Sequence, residues 1–322
     1  MATYFIGGGI ETYVASPAGA SDGAGSVAFE GSANPYYADC IPRDPATGAQ
    51  VALDAFWFHV NLSGDGSRGL NGIIMFNAAD QEVVRIANVG ETLSQLNVKR
   101  DGVWVPVGDI VATGTNFAFD IRVVAHPSQG RLSLCVNGVT VVEQGGLDTS
   151  ELVGINRIRL QSAINGNASR YTQYSGAIIA TYNTIGHTVR LRTPQSDVVN
   201  TGWTGSYVDV DEGQNNDTDA LNTSTTGAVI LFGGNALSPT TPGNVVKAVS
   251  VAARIRNDGG AIPRNAKATL SIGGALYSAP YNLNVGPGYA GAVTVFDRDP
   301  STGAAWNGVG NINGPFGLTA TE

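Results

Sequence analysis

Two sets of side chains in this sequence have reactive or ligand-binding potential. The first is the acidic run Asp209-Val-Asp-Glu-Gly-Gln-Asn-Asn-Asp-Thr-Asp219, where oxygen donors recur at alternate positions. Oxygens at that spacing can surround Ca2+, so Asp209, Asp211, Asp217 and Asp219 are the candidate metal ligands. The run lacks the loop glycine and the bidentate Glu at EF-hand offsets, and a solvated loop is the alternative reading. The second set is aromatic. Sugar recognition on β-sandwiches rests on exposed rings that stack on sugar faces, while Asn, Asp and Gln bond the hydroxyls. The candidates are Trp104 beside Asp101-Gly102, Trp203 between Gly202 and Gly205, Tyr207, and Trp306. Each of the tryptophans competes with a packing role. Trp57, between Phe56 and Phe58, reads as core.

Nothing else points to catalysis. His59, His126 and His187 fall in different strands or turns and read as structural histidines, and no HExxH, GxSxG, P-loop or CxxC pattern is present. The Gly7-Gly8-Gly9 run does not join a strand to a helix, so it does not cradle phosphate. Cys40 and Cys135 are too few for a disulfide framework and read as buried thiols. The expectation is a protein without catalytic residues, and without a cofactor other than the Ca2+ considered above.

The elements that must position these residues are short strands. In Phe117-Ala-Phe-Asp-Ile-Arg-Val123 the apolar residues alternate with Ala118, Asp120 and Arg122, which is the period of a half-buried strand. Leu132, Leu134 and Val136 repeat the pattern, and Asn137-Gly138 supplies the positive-φ pair of a tight hairpin before Val139 to Val142 return. Further strands are expected at 55–62, 72–77, 82–88, 93–100, 103–107, 157–162 and 175–181. A second set follows at 187–192, 206–210, 228–232, 245–256, 268–272 and 292–296. Many short strands at this spacing predict an all-β chain of two antiparallel sandwiches. The expected division is an extended N-terminal arm over 1–25, a first sandwich over 26–185 and a second, jelly-roll-like one over 186–322. Arg43-Asp-Pro-Ala-Thr-Gly-Ala49 and Arg298-Asp-Pro-Ser-Thr-Gly-Ala304 read as one turn used twice.

Composition agrees. With 43 glycines in 322 residues and Lys only at positions 99, 247 and 267, the chain cannot cover long helices, so bundles and coiled coils are excluded. A formal charge of −8 would repel a phosphate backbone, which excludes nucleic acid as a partner. The first residues lack a basic start followed by an apolar run, and no apolar stretch approaches membrane-spanning length. Synthesis in the cytoplasm without a signal peptide or membrane insertion is expected.

The run Asp120-Ile-Arg-Val followed by Gly130-Arg-Leu-Ser-Leu-Cys-Val-Asn-Gly138 resembles the back-sheet hairpin of concanavalin A-like and laminin-G-like sandwiches. The succession Ser175 to Val189, Gly202-Trp-Thr-Gly205, Val210-Asp-Glu212 with Asp217-Thr-Asp219, and Asp299-Pro-Ser-Thr-Gly-Ala-Ala-Trp306 is similar to minor structural proteins of tailed bacteriophages and gene transfer agents. The resemblance implies a non-enzymatic virion protein whose lectin-like sandwich precedes a second β-domain. It would be a spike, fibre or tail component able to contact host surface polysaccharide, with a capsid-decorating subunit, a carbohydrate-active enzyme or a free lectin as alternatives. Pro300, Gly303 and Trp306 would fix the last turn against the second domain, and Gly138 would complete a hairpin. The Glu-x-Asp-x-x-Glu strand of glucanase-type relatives is absent; Asp209, Asp211 and Glu212 come nearest. Partners implied are copies of the same chain and capsid or tail proteins, with the arm over 2–26 as the docking element.

Overall fold

The computed structural model describes residues 1–7, 14–15, 26–30, 37–64, 72–89, 93–111, 116–161, 171–211, 219–237, 245–258, 263–283, 285–308 and 310–322. Over these residues the chain is all-β. Contacts divide it into two units, Met1–Arg43 with Gln50–Val189, and Asp44–Ala49 with Arg190–Glu322.

The first unit contains β1 (Thr3–Ile6), β2 (Val14–Ala15), β3 (Ser26–Glu30), β4 (Tyr37–Cys40), β5 (Ala55–Gly64), β6 (Ile73–Asn77) and β7 (Glu82–Asn88). It continues with β8 (Leu93–Arg100), β9 (Val103–Val111), β10 (Asn116–Val124), β11 (Gly130–Val136), β12 (Val139–Leu147), β13 (Ile155–Gln161) and β14 (Tyr171–Ala180). Two antiparallel sheets form. One has the order β1-β14-β5-β10-β11-β12 with β3 also on β14; the other has the order β2-β4-β13-β6-β7-β8-β9. Alternation decides which face is buried: Phe56, Phe58, Val60, Phe119, Ile121 and Val123 of the first sheet share one core with Met75, Val84, Ile86, Leu96, Val98, Ile158 and Leu160 of the second.

Two expectations change here. Trp57 is not core: with Phe56 and Phe58 turned inward, period two puts it on the outer face of the first sheet, where the Arg122 guanidinium lies 5.8 Å from its ring. The first residues are not a free arm over Thr3–Ile6. That segment pairs with β14 of the chain's own sheet and buries Phe5 in the core, which removes it from a docking role. The expected arm residues 8–13 and 16–25 lie outside the described residues.

The second unit contains β15 (Pro194–Asn200), β16 (Val229–Gly234), β17 (Val249–Ile255), β18 (Asn265–Ile272), β19 (Ala275–Ser278), β20 (Ala290–Phe296) and β21 (Phe316–Thr321). A five-stranded sheet, β15-β16-β21-β18-β19, accompanies a two-stranded ribbon, β17-β20. Val251, Ala268, Leu270, Ile272, Phe296 and Trp306 make its core. The strands expected at 187–192 and 206–210 do not form; the latter is a 3-10 turn over Tyr207–Asp209. In place of the former, Arg192 ties down the chain with its side chain. Its five N–H groups donate to the carbonyls of Gly234, Asn235, Ile312, Asn313 and Gly314 at 2.6–3.2 Å. Burial lowers its pKa from the ordinary value.

The Asp-Pro-x-Thr-Gly sequence builds the same turn twice. Asp44 Oδ1 accepts from the Ala46 amide at 2.8 Å and Asp299 Oδ1 from the Ser301 amide at 2.8 Å. Their carbonyls accept from Gly48 and Gly303, each at 2.8 Å, and these glycines have φ of 71° and 70°, a conformation costly for any side chain. Trp306 then drops into the core and donates from Nε1 to the Phe296 carbonyl at 2.9 Å, so it is a packing residue and not a sugar platform.

Candidate functional site

Two tight hairpins organise the first unit. Asn137-Gly138 has φ of 51° and 78°, and Asp101-Gly102 has φ of 49° and 75°, the pairs a two-residue type I′ turn requires. The second of these sets the register of β8 and β9, placing Lys99 directly opposite Trp104. In the next strand Arg85 pairs with Asn97, two residues from Lys99 and on the same face. Because Val84, Ile86, Leu96 and Val98 face the core, Arg85, Asn97, Lys99 and Trp104 all stand on the outer face of the second sheet.

The geometry there is a cation-aromatic cluster. The Arg85 guanidinium lies 4.1 Å from the Trp104 ring centroid and the Lys99 ammonium 6.0 Å from it. Such contacts contribute about 0.5–2 kcal/mol and fix the ring's orientation. Arg85 Nε has no hydrogen-bond partner, and neither Arg85 nor Lys99 has a carboxylate partner among the described residues. Farther along the same face the cations are neutralised. Arg159 grips Asp39 through Nε and Nη2 at 2.8 and 2.9 Å, while Arg157 bonds Asp80. Arg157 and Arg159 also cover Phe76, at 4.0 and 5.0 Å, and Arg159 stacks on Tyr37 at 3.7 Å. Gln95 donates to Asp109 at 2.8 Å, two register rows beyond Asn97. Trp104 is therefore a half-buried ring beside two half-buried cations that have no carboxylate partner among the described residues.

The other expected site residues do not join it. Trp203 and Tyr207 belong to the second unit. The Trp203 amide donates to Asn200 Oδ1 at 3.0 Å and its indole Nε1 is buried without a partner, while the Tyr207 amide donates to Asp197 at 2.8 Å. Ser206 is the N-cap of the 3-10 turn, and Asp209 at its third position closes a reciprocal capping box, its Oδ2 accepting from the Ser206 amide at 2.7 Å. Asp211 and Asp219 are exposed, and Asp217 lies outside the described residues. Among the described residues no group of three His, Cys, Asp or Glu could hold a metal. Asp209 serves the turn, which is the local chemistry its position three residues after Ser206 dictates.

Sequence reasoning did not select Arg85 and Lys99. The signal was present: both occupy outward positions of alternating strands, and the Asp101-Gly102 turn alone fixes Lys99 against Trp104. It also read His59 as satisfied. His59 Nδ1 bonds Asp120 Oδ1 at 2.9 Å, and Thr184 Oγ1 donates to the same oxygen at 2.7 Å, but His59 Nε2 is buried without a partner. These residues sit on the outer face of the first sheet. There the Thr181–Val189 segment crosses it, with Ile185 against Gly138 and Val189 against Gly176. His126 is satisfied, accepting at Nδ1 from the Ser128 and Gln129 amides.

No family model matches the chain, and no curated protein matches its sequence. Among solved structures it is similar to the globular domain of T. cruzi calreticulin, with 6% identity and a TM-score of 0.35 over 49% of this chain and 73% of that one. It is similar to the alginate lyase Aly36B at 11% identity and a TM-score of 0.32, covering 51% of this chain and 83% of the lyase. The binding domain of botulinum neurotoxin serotype D aligns at 10% identity and a TM-score of 0.34, over 49% of this chain and 39% of that one. Identity and superposition are both too low for any residue's role to be transferred.

Proposed function

We propose that the protein is a non-enzymatic structural component of a phage-like particle, a spike, fibre or tail subunit whose first unit binds host surface polysaccharide. The observation that carries the binding half is the outer face of the second sheet, where Trp104 is oriented by Arg85 and flanked by Lys99. An aromatic ring flanked by polar, charged neighbours is a combination that sugar-binding surfaces use. The virion half rests on the order of motifs from Ser175 to Trp306.

Homo-oligomer formation is part of the same reading. Strand β12 is a sheet edge of nine residues with Val139 and Val141 exposed and without Pro or Lys. Although Glu143 and two register shifts interrupt it, the exposed Val139 and Val141 end of this edge is the part offered for pairing with another copy. The test is a glycan array probed with the full chain, alongside light scattering and pull-down of particles. Retention on host polysaccharide and co-purification with particles are expected; release of reducing sugar from that polysaccharide would overturn the non-enzymatic reading.

A further inference from the structure

We infer that the ligand of the Trp104 face is an acidic polysaccharide whose sugars carry carboxylates. This rests on the polysaccharide-binding reading above and narrows its substrate class. A neutral sugar would need an indole face free for stacking and hydroxyl partners around it. Here a guanidinium already lies 4.1 Å over the ring, so the stacking surface is shared with a cation. In a chain of net charge −8, two cations brought to one ring without a carboxylate partner among the described residues are not a consequence of composition.

The contrast with the neighbouring strands sharpens the point. Arg157 and Arg159, on β13 of the same sheet, are each matched by Asp39 or Asp80. Arg85 and Lys99, on β7 and β8, are not. With Nε buried over the ring, the Arg85 guanidinium offers its terminal Nη groups to a carboxylate, and the Lys99 ammonium supplies a second, adjustable contact. The indole edge then packs on the apolar face of the same uronate. Asn97, opposite Arg85 and two residues from Lys99, is buried and donates from Nδ2 to the Gln95 carbonyl at 3.0 Å, so the two cations are the polar groups left for the ligand.

The experiment is titration calorimetry of the full chain with polygalacturonate, with the same polymer after carboxyl reduction, and with dextran sulfate. Wild type, Arg85→Gln and Lys99→Gln are compared, each checked by thermal melting. Binding to polygalacturonate should weaken roughly tenfold on carboxyl reduction and by a similar factor in Arg85→Gln, with Lys99→Gln smaller. Equal affinity for the reduced, neutral polymer would overturn the acidic assignment while leaving polysaccharide binding standing. Equal affinity for dextran sulfate would reduce the site to non-specific charge and overturn it too. Binding to none of the polymers, on the array or in solution, would overturn both readings.

Discussion

The guanidinium of Arg85 on β7 lies over the indole of Trp104 on β9, 4.1 Å from its centroid. That stack joins a residue the sequence marks, a tryptophan beside a hairpin turn, to one it hides among ordinary strand positions. Substituting Trp104 with Ala is expected to weaken polysaccharide binding roughly five- to thirtyfold, since the ring's packing contact together with the orientation it gives Arg85 contributes on the order of 1–2 kcal/mol. Trp203→Ala should leave binding within about twofold. Affinity electrophoresis in gels cast with the polymer compares the two directly.

Arg192 is expected to be a stability determinant of the second unit. Its five donors meet five backbone carbonyls, so Arg192→Gln leaves several of them without partners and should cost roughly 2–4 kcal/mol. Urea unfolding would show a lowered midpoint; a change below about 0.5 kcal/mol would show that water replaces the side chain freely.

Asp120 holds two buried donors, His59 and Thr184, beneath the segment that follows β14. Asp120→Ala is expected to cost about 3 kcal/mol and to expose Thr181–Val189 to limited proteolysis. Thr184→Val, which removes one donor and keeps the shape, should cost only about 1 kcal/mol. Equal effects of the two variants would place the stabilisation in packing rather than in the carboxylate.

The turn at Asp299 should carry part of the acid sensitivity. Burial alone would raise this carboxyl, but hydrogen bonds from the Ser301 hydroxyl, the Asn311 amide group and the Ser301 backbone outweigh it and hold the pKa below its ordinary value. With the folded value depressed, the stabilisation is complete above the unfolded pKa of about 3.9 and is lost as pH falls through the folded one. Asp299→Asn should therefore be less stable than wild type at neutral pH, and the gap should narrow as pH falls below the unfolded value and through the depressed folded one. Thermal melts across pH 2–7 read both limbs.

Both thiols are buried and free. Burial first, and the neighbouring Asp39 charge second, push Cys40 well above the ordinary thiol range. In the native protein neither Cys40 nor Cys135 should react with a thiol reagent at pH 8, whereas both should react in urea. Prompt reaction of either would contradict the core described for the first unit.

Much of the first unit was legible because its strands are half-buried. Glu82–Asn88 and Leu93–Arg100 are bounded by turn residues, and their ends match expectation to the residue, although register shifts break the alternation inside them. The second unit was less so. Pro194–Asn200 is an edge strand with almost every side chain exposed, so it carries no alternation to read. Phe316–Thr321 contains Gly317, whose position against the Ile230 carbonyl leaves no room for a Cβ, and a glycine in that place reads as a turn. Ser206 to Val210 has strand-like residues, but the capping box between Ser206 and Asp209 winds the segment into a 3-10 turn. For the site, sequence located Trp104 and not its cations, because a cation-aromatic stack depends on cross-strand register. It also grouped Trp203 and Tyr207 with Trp104, which belong to different units.

Hydroxyl-radical footprinting of the full chain with and without host polysaccharide reads out whether polysaccharide binds on the outer face of the second sheet. Oxidation of Trp104 should fall on binding while Trp203 and Tyr207 are oxidised at unchanged rates. Protection of Trp203 and Tyr207 with Trp104 unchanged would contradict binding on that face.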